Sequence, residues 1–105
     1  MPLPPLTPEQ RAEALAKAGA ARRERARVRA DLKAGVLALG EVLEGRAQEE
    51  AIAKMKVFSL IEALPGIGPV RAGRVMDDLG IARSRRIRGL GQHQTAALVA
   101  RFEGA

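Results

Sequence analysis

The segment Leu64-Pro-Gly-Ile-Gly-Pro-Val-Arg71 sets two glycines one apolar residue apart. Glycine tolerates positive φ and has no Cβ to block another backbone, so Gly66 and Gly68 suit a tight turn with an approachable surface. Ile67 between them is expected to plug the core, and Pro65 to stiffen the tip. Pro69 is well placed to open a helix. The amides of Gly68 and of the next turn, through Val70 and Arg71, would then point outward with the positive end of the helix dipole behind them. Such a helix start accepts an anion, phosphate above all. Arg71 and Arg74, on the outer face, would add charge-assisted contacts.

A second basic element, Arg83-Ser84-Arg85-Arg86-Ile87-Arg88, precedes the turn Gly89-Leu90-Gly91. Ile87 is expected to fix this segment to the core, with Arg85, Arg86 and Arg88 standing out beside the first turn. Gln92 and Gln94 either cap the last helix or touch a sugar-phosphate. Lys54, Lys56, Arg22 and Arg23 are further candidates; the arm run Arg22-Arg-Glu-Arg-Ala-Arg-Val-Arg29 is read either as a DNA contact or as a solvated face, since Glu13, Glu24 and Asp31 can pair along the helix and blunt its field. No side chains combine into a nucleophile and base. With no cysteine and one surface histidine, His93, neither a metal site nor any other cofactor is expected.

The charge distribution supports an anionic partner. Residues 1–33 carry net +4, residues 34–64 net −2 and residues 65–105 net +4, for +6 overall. Fourteen of the 18 cations are arginine, whose planar fork suits phosphate. No stretch approaches the roughly 18 apolar residues of a membrane span, and no signal segment leads the chain, so a cytoplasmic location is expected.

The elements that must position these residues read as all-α. Aromatics are 2% of the chain, leaving a core of aliphatic residues and two Phe, and no strand-like alternation competes with helical spacing. Residues 1–7 form an extended proline-rich lead. Thr7-Pro8-Glu9-Gln10 is a capping-box start for a long helical arm over 8–34, which is poor in bulky apolar residues and is expected to project from the globule. Residues 35–105 form a helical domain with turns at 64–69 and 88–91. Within it, Gly35 and Gly40 read as punctuation, and residues 48–64 as one helix with a stripe through Ile52, Met55, Phe58, Leu60, Ile61 and Leu64. Val70, Ala72, Val75, Met76 and Leu79 are expected to face inward on the next helix, which Gly80 ends.

Together, Lys54-Met-Lys-Val57, Leu64-Pro-Gly-Ile-Gly68 and Ser84-Arg-Arg-Ile-Arg-Gly-Leu-Gly91 resemble the actinobacterial integration host factor family. The likeness covers nearly the whole chain. It implies a long N-terminal helix followed by a small globule with a helix-two-turns-helix, or helix-hairpin-helix-like, element. It also implies a nucleoid-associated protein that binds double-stranded DNA, chromosomal or at phage attachment sites, with little sequence preference. Bending, compaction, altered topology and support of phage integrase recombination would follow. On that basis Leu64 to Arg71 with Arg85, Arg86 and Arg88 contact DNA, Pro65 being able to wedge against a minor-groove base step. The chain is expected to act as a monomer, through one surface or more, and not at a membrane.

Two other readings are weighed against this one. Some DNA-repair glycosylases share Leu-Pro-Gly-x-Gly, but they place a Schiff-base lysine where this chain has Val70, and a chain this short lacks room for a flipped base, so no enzyme is expected. A helix-two-turns-helix module can also grip the phosphates of RNA or a ribosome. The scarcity of stacking aromatics argues against single strands and leaves structured RNA open.

Overall fold

The computed structural model describes residues 4–103, and among them there are six α-helices and no strand. The extended lead is described from Pro4 to Thr7; Met1, Pro2 and Leu3 lie outside the described residues. α1 spans Pro8–Lys33. The Thr7 hydroxyl accepts from the Gln10 backbone N–H at 3.1 Å, and the Gln10 side-chain oxygen Oε1 accepts from the Thr7 N–H at 2.9 Å, so the capping box closes. Gly35, at φ 75°, ends the helix in the left-handed conformation that glycine adopts without steric cost.

Only Val28 and Leu32 of α1 are buried, which leaves its first half exposed and accounts for a molecule 52 Å long and 32 by 25 Å across. The second half packs against α3 (Glu50–Ala53) and α4 (Val57–Ala63). Two ion pairs tie α1 laterally, one from each half. Arg46 binds Glu24 and also Glu49, the latter at 2.8 Å, while Lys17 reaches Glu50 at 3.7 Å. The carboxylate of Glu49 is held below its ordinary pKa by its hydrogen bond from Arg46.

α2 (Leu39–Gly45) corrects the reading of Gly40 as punctuation: the residue is buried inside the helix. Its N–H donates to Glu103 at 2.8 Å, and a Cβ there would come within 2.7 Å of the same carboxylate. The bare glycine lets the end of α6 (Gln92–Glu103) cap α2, so the two helices pack together. Residues 48–64 are likewise not one helix. They form α3 and α4, interrupted between Lys54 and Lys56. The physical reason is a tertiary pairing: Lys56 and Arg86 form an isolated antiparallel bridge, which draws the connecting backbone out of helical geometry.

The expected stripe otherwise survives the break. Ile52, Met55, Leu60 and Ile61 are buried, Phe58 and Leu64 pack on their edge, and Val57 joins them. α5 (Pro69–Asp78) closes the core with Ala72, Val75 and Met76. No described buried side-chain nitrogen or oxygen lacks a hydrogen-bond partner.

Leu32 is fully buried and is one of only two apolar anchors of α1. Leu32→Ala is expected to cost about 2–5 kcal/mol in denaturant unfolding. A cost below about 1 kcal/mol would show that α1 is not part of the cooperative core.

Candidate nucleic-acid interface

α4 ends at Leu64, whose backbone turns extended at φ −62° and ψ 148°. The Ile67 N–H then closes the turn on the Leu64 carbonyl at 3.0 Å, and Ile67 itself packs half-buried against the core. Gly66 lies at φ 75°, where an L side chain costs about 1–2 kcal/mol, so the backbone itself calls for glycine. Gly68 differs. Its φ −106° and ψ −175° are open to any residue, and an added Cβ would meet nothing within 4 Å. No side chain caps α5, which leaves its first amides without intrahelical acceptors.

Pro65 and Pro69 flank this opening and are exposed. Val70, expected to face inward, is 69% exposed. The buried side of α5 is set by Ala72, Val75 and Met76, and at about 100° per residue position 70 falls on the opposite side. The Arg71 guanidinium reaches back to the Gly66 carbonyl at 3.4 Å, a long contact that keeps it over the turn. Arg74 is exposed and has no side-chain partner among the described residues.

The second basic segment is held by two backbone bonds. The Val57 N–H donates to the Arg85 carbonyl at 3.0 Å and the Ile87 N–H to the Met55 carbonyl at 2.9 Å. Ile87 is buried, as expected, and opens a short 3-10 turn over Ile87–Gly89. Half-buried Arg85 donates to the Gly89 carbonyl at 2.9 Å, and Arg86 donates to the Lys54 carbonyl. Ser84, Arg88 and Lys56 are exposed. Gln94, not Gln92, does the capping: its side-chain oxygen accepts from the Gly91 N–H at 3.1 Å, while Gln92 stays exposed. The bridge at Val57 and the turn at Leu64 sit at opposite ends of α4, about 10 Å apart at 1.5 Å per residue.

Residues 32–102 match the family of S13-like H2TH domains. Over its full length the chain is 50% identical to integration host factor of Mycobacterium tuberculosis, and the match covers all of both chains. It is 56% identical to integration host factor of Streptomyces coelicolor over 97% of this chain and 95% of that protein. The chain belongs to the actinobacterial integration host factor family. A solved structure of the family, sIHF bound to an 8 bp palindromic DNA, superposes with a TM-score of 0.80 at 50% identity, covering 83% of this chain and 98% of that one.

Within this integration host factor scaffold the arginines are not equivalent. Arg83 binds Asp77 through two contacts, at 2.8 and 3.3 Å, and lies across Gly73, where a Cβ would come within 2.6 Å of its guanidinium carbon. It therefore fastens the basic loop to α5. Its hydrogen bond holds the Asp77 carboxyl below the ordinary aspartate range. Arg22 and Arg23 are exposed on α1, away from both turns in the chain. Of the arm's arginine run, Arg25 and Arg29 line one cleft with Lys54, Lys56 and Arg86. They lie three positions before the buried Val28 and Leu32, respectively, one turn apart on α1.

Because pairing lowers the folded-state pKa of Asp77, its stabilising contribution is complete above the ordinary value of 3.8 and fades as pH falls through the lower folded value. Gly73→Ala should displace the flexible guanidinium of Arg83 rather than unfold the chain. The NMR titration midpoint of Asp77 is then expected to rise toward 3.8. A midpoint unchanged by the substitution would show that the contact with Gly73 does not hold the pair.

Proposed function

We propose that the protein is a nucleoid-associated architectural protein that binds duplex DNA with little sequence preference, bends and compacts it, alters its topology and supports recombination by phage integrases. The observation that carries this reading is the uncapped start of α5. Its amides open beside Gly68, whose missing side chain serves no need of the fold, with Arg71 and Arg74 next to them. The solved family member on DNA supports duplex as the anion.

Amides and arginines at such a site read phosphates rather than base edges, so affinity depends on salt more than on sequence. The spacing of about 10 Å along α4 lies between the widths of the minor groove, about 6 Å, and the major groove, about 12 Å. Contacts at its two ends can therefore fall on opposite walls of one groove. Leu64 to Arg71 and Arg74 form the first contact, with Arg85, Arg86, Arg88, Ser84, Gly89, Gly91 and Gln92 around the second. Pro65 at the exposed tip is placed to press on a base step. Val70 stands where the repair glycosylases hold their lysine, so the reading is of binding without catalysis. A DNA-bound role places the protein on the cytoplasmic nucleoid, acting as a monomer. The S13-like description of the matching family favours structured RNA as a second reading.

Duplex affinity is expected to fall linearly with salt on a double-logarithmic plot, at a slope of about 0.9 per phosphate engaged. Gly68→Ala should leave the melting temperature unchanged and weaken duplex binding about tenfold or more, because a Cβ would stand in the phosphate's approach. Full affinity in Gly68→Ala would remove the helix start from the interface. Structured RNA binding more tightly than duplex DNA of equal length at matched salt would select the second reading.

Replacing both Arg85 and Arg86 by Ala should weaken all duplex sequences alike and lower the salt slope by about one to two. A changed sequence preference, measured across a set of duplexes, would instead mean that these arginines read bases.

A further inference from the structure

The second half of α1 forms one wall of a cleft of about 370 Å³. Five cationic side chains line it, Arg25, Arg29, Lys54, Lys56 and Arg86, and no carboxylate does. Met55 and Ser59 complete the lining, the latter adding a hydroxyl. Of the nearby carboxylates, Glu24 binds Arg46, whereas Glu50 pairs with Lys17 and with Lys54 of the cleft itself. The carboxyl of Glu50 is held below its ordinary pKa chiefly by the hydrogen bond from Lys54.

This charge is held in place by the fold. Val28 and Leu32 are fully buried and fix the rotation of α1, so Arg25 and Arg29, one turn apart, share the side facing the cleft. The bridge between Lys56 and Arg86 sets the opposite wall. One N–H of Arg86 is spent on the Lys54 carbonyl, which orients the rest of its fork. The side chains of Arg25, Arg29 and Lys56 have no hydrogen bond or ion pair among the described residues. Like charges gathered in a concave wall repel one another and raise the local field, and an anion relieves both. Lys54 can exchange its exposed partner Glu50 at little cost, since such surface pairs contribute about 0–1 kcal/mol.

We propose that this cleft is a binding site for a run of two or three phosphate groups, with Arg25 and Arg29 as the wall contributed by the N-terminal helix. Each phosphate brings about one to two negative charges near neutral pH, so two or three match the five cations. The Ser59 hydroxyl donates to the same run. Two sources present this chemistry: a free oligophosphate, including the tail of a nucleotide, and the backbone of a nucleic-acid strand. The cleft shares Arg86 with the second contact of the proposed function but is separate from the start of α5, and its existence does not depend on what that helix start binds.

The test uses the full chain, with inorganic triphosphate as one probe and a short duplex as the other, at fixed ionic strength. Arg25→Ala/Arg29→Ala is compared with Arg11→Ala/Lys33→Ala, which removes the same charge from exposed positions of the same helix outside the cleft. Triphosphate is expected to bind one per chain by calorimetry and to shift the amides of Lys56 and Ser59. Its affinity should fall about tenfold or more in the first variant and less than about twofold in the second. Loss of duplex affinity confined to the first variant, without triphosphate binding, would support the site and assign its phosphates to a nucleic-acid strand. Equal losses in both variants, or no loss in either, would overturn it. Lys56→Gln replaces the first variant if its melting temperature drops. Arg71→Ala/Arg74→Ala reports on the turn alone, so duplex binding that ignores it counts against the proposed function and not against the cleft.

Discussion

Two backbone hydrogen bonds, from Val57 to Arg85 at 3.0 Å and from Ile87 to Met55 at 2.9 Å, join the middle of the chain to its basic loop. Buried backbone groups need partners, and here residues some 30 positions apart supply them to one another. The consequences spread from this point. The helix expected over residues 48–64 breaks in two, Met55 and Ile87 enter the core, and Lys54 and Lys56 are brought against Arg86. An arginine-rich loop that would otherwise be a solvated charge run becomes a fixed surface at one end of α4.

The other end of α4 is governed by a different economy of small residues. Gly66 is needed for its positive φ, whereas Gly68 answers to no contact within the molecule. Gly40 and Gly73 do a third job, admitting the side chains of Glu103 and Arg83 where a methyl group would collide. Conformation accounts for the first of these glycines and close approach from within for the last two, while neither accounts for Gly68.

The same sorting applies to charge. Arg46 ties α1 to the α2–α3 connection and Arg83 ties the basic loop to α5, so both are fasteners. Arg85 and Arg86 each spend a donor on a nearby carbonyl and so arrive at the surface with restricted geometry. Arg74 and Arg88 remain exposed and uncommitted among the described residues. The arginines thus divide into those tied to carboxylates of the fold and those that leave their charge at the surface.

Local chemistry was readable directly from the chain. The capping box at Thr7 to Gln10, the glycine stop of α1, the proline start of α5 and the turn at Leu64 to Gly68 all depend on neighbours within a few residues, which a sequence displays. Periodicity likewise marked Ile52, Leu60, Ile61 and Met76 as core. Three matters lay outside its reach. The break between α3 and α4 depends on a bridge to a residue far along the chain, the burial of Gly40 depends on Glu103, and the placing of Arg25 and Arg29 in one cleft with Arg86 depends on how Val28 and Leu32 rotate α1 against its neighbours. Composition and spacing determined that this protein is helical, basic and built around a tight glycine turn. Which arginines stand together, and which are already taken, was decided by long-range backbone pairing and core packing, because those contacts have no local signature.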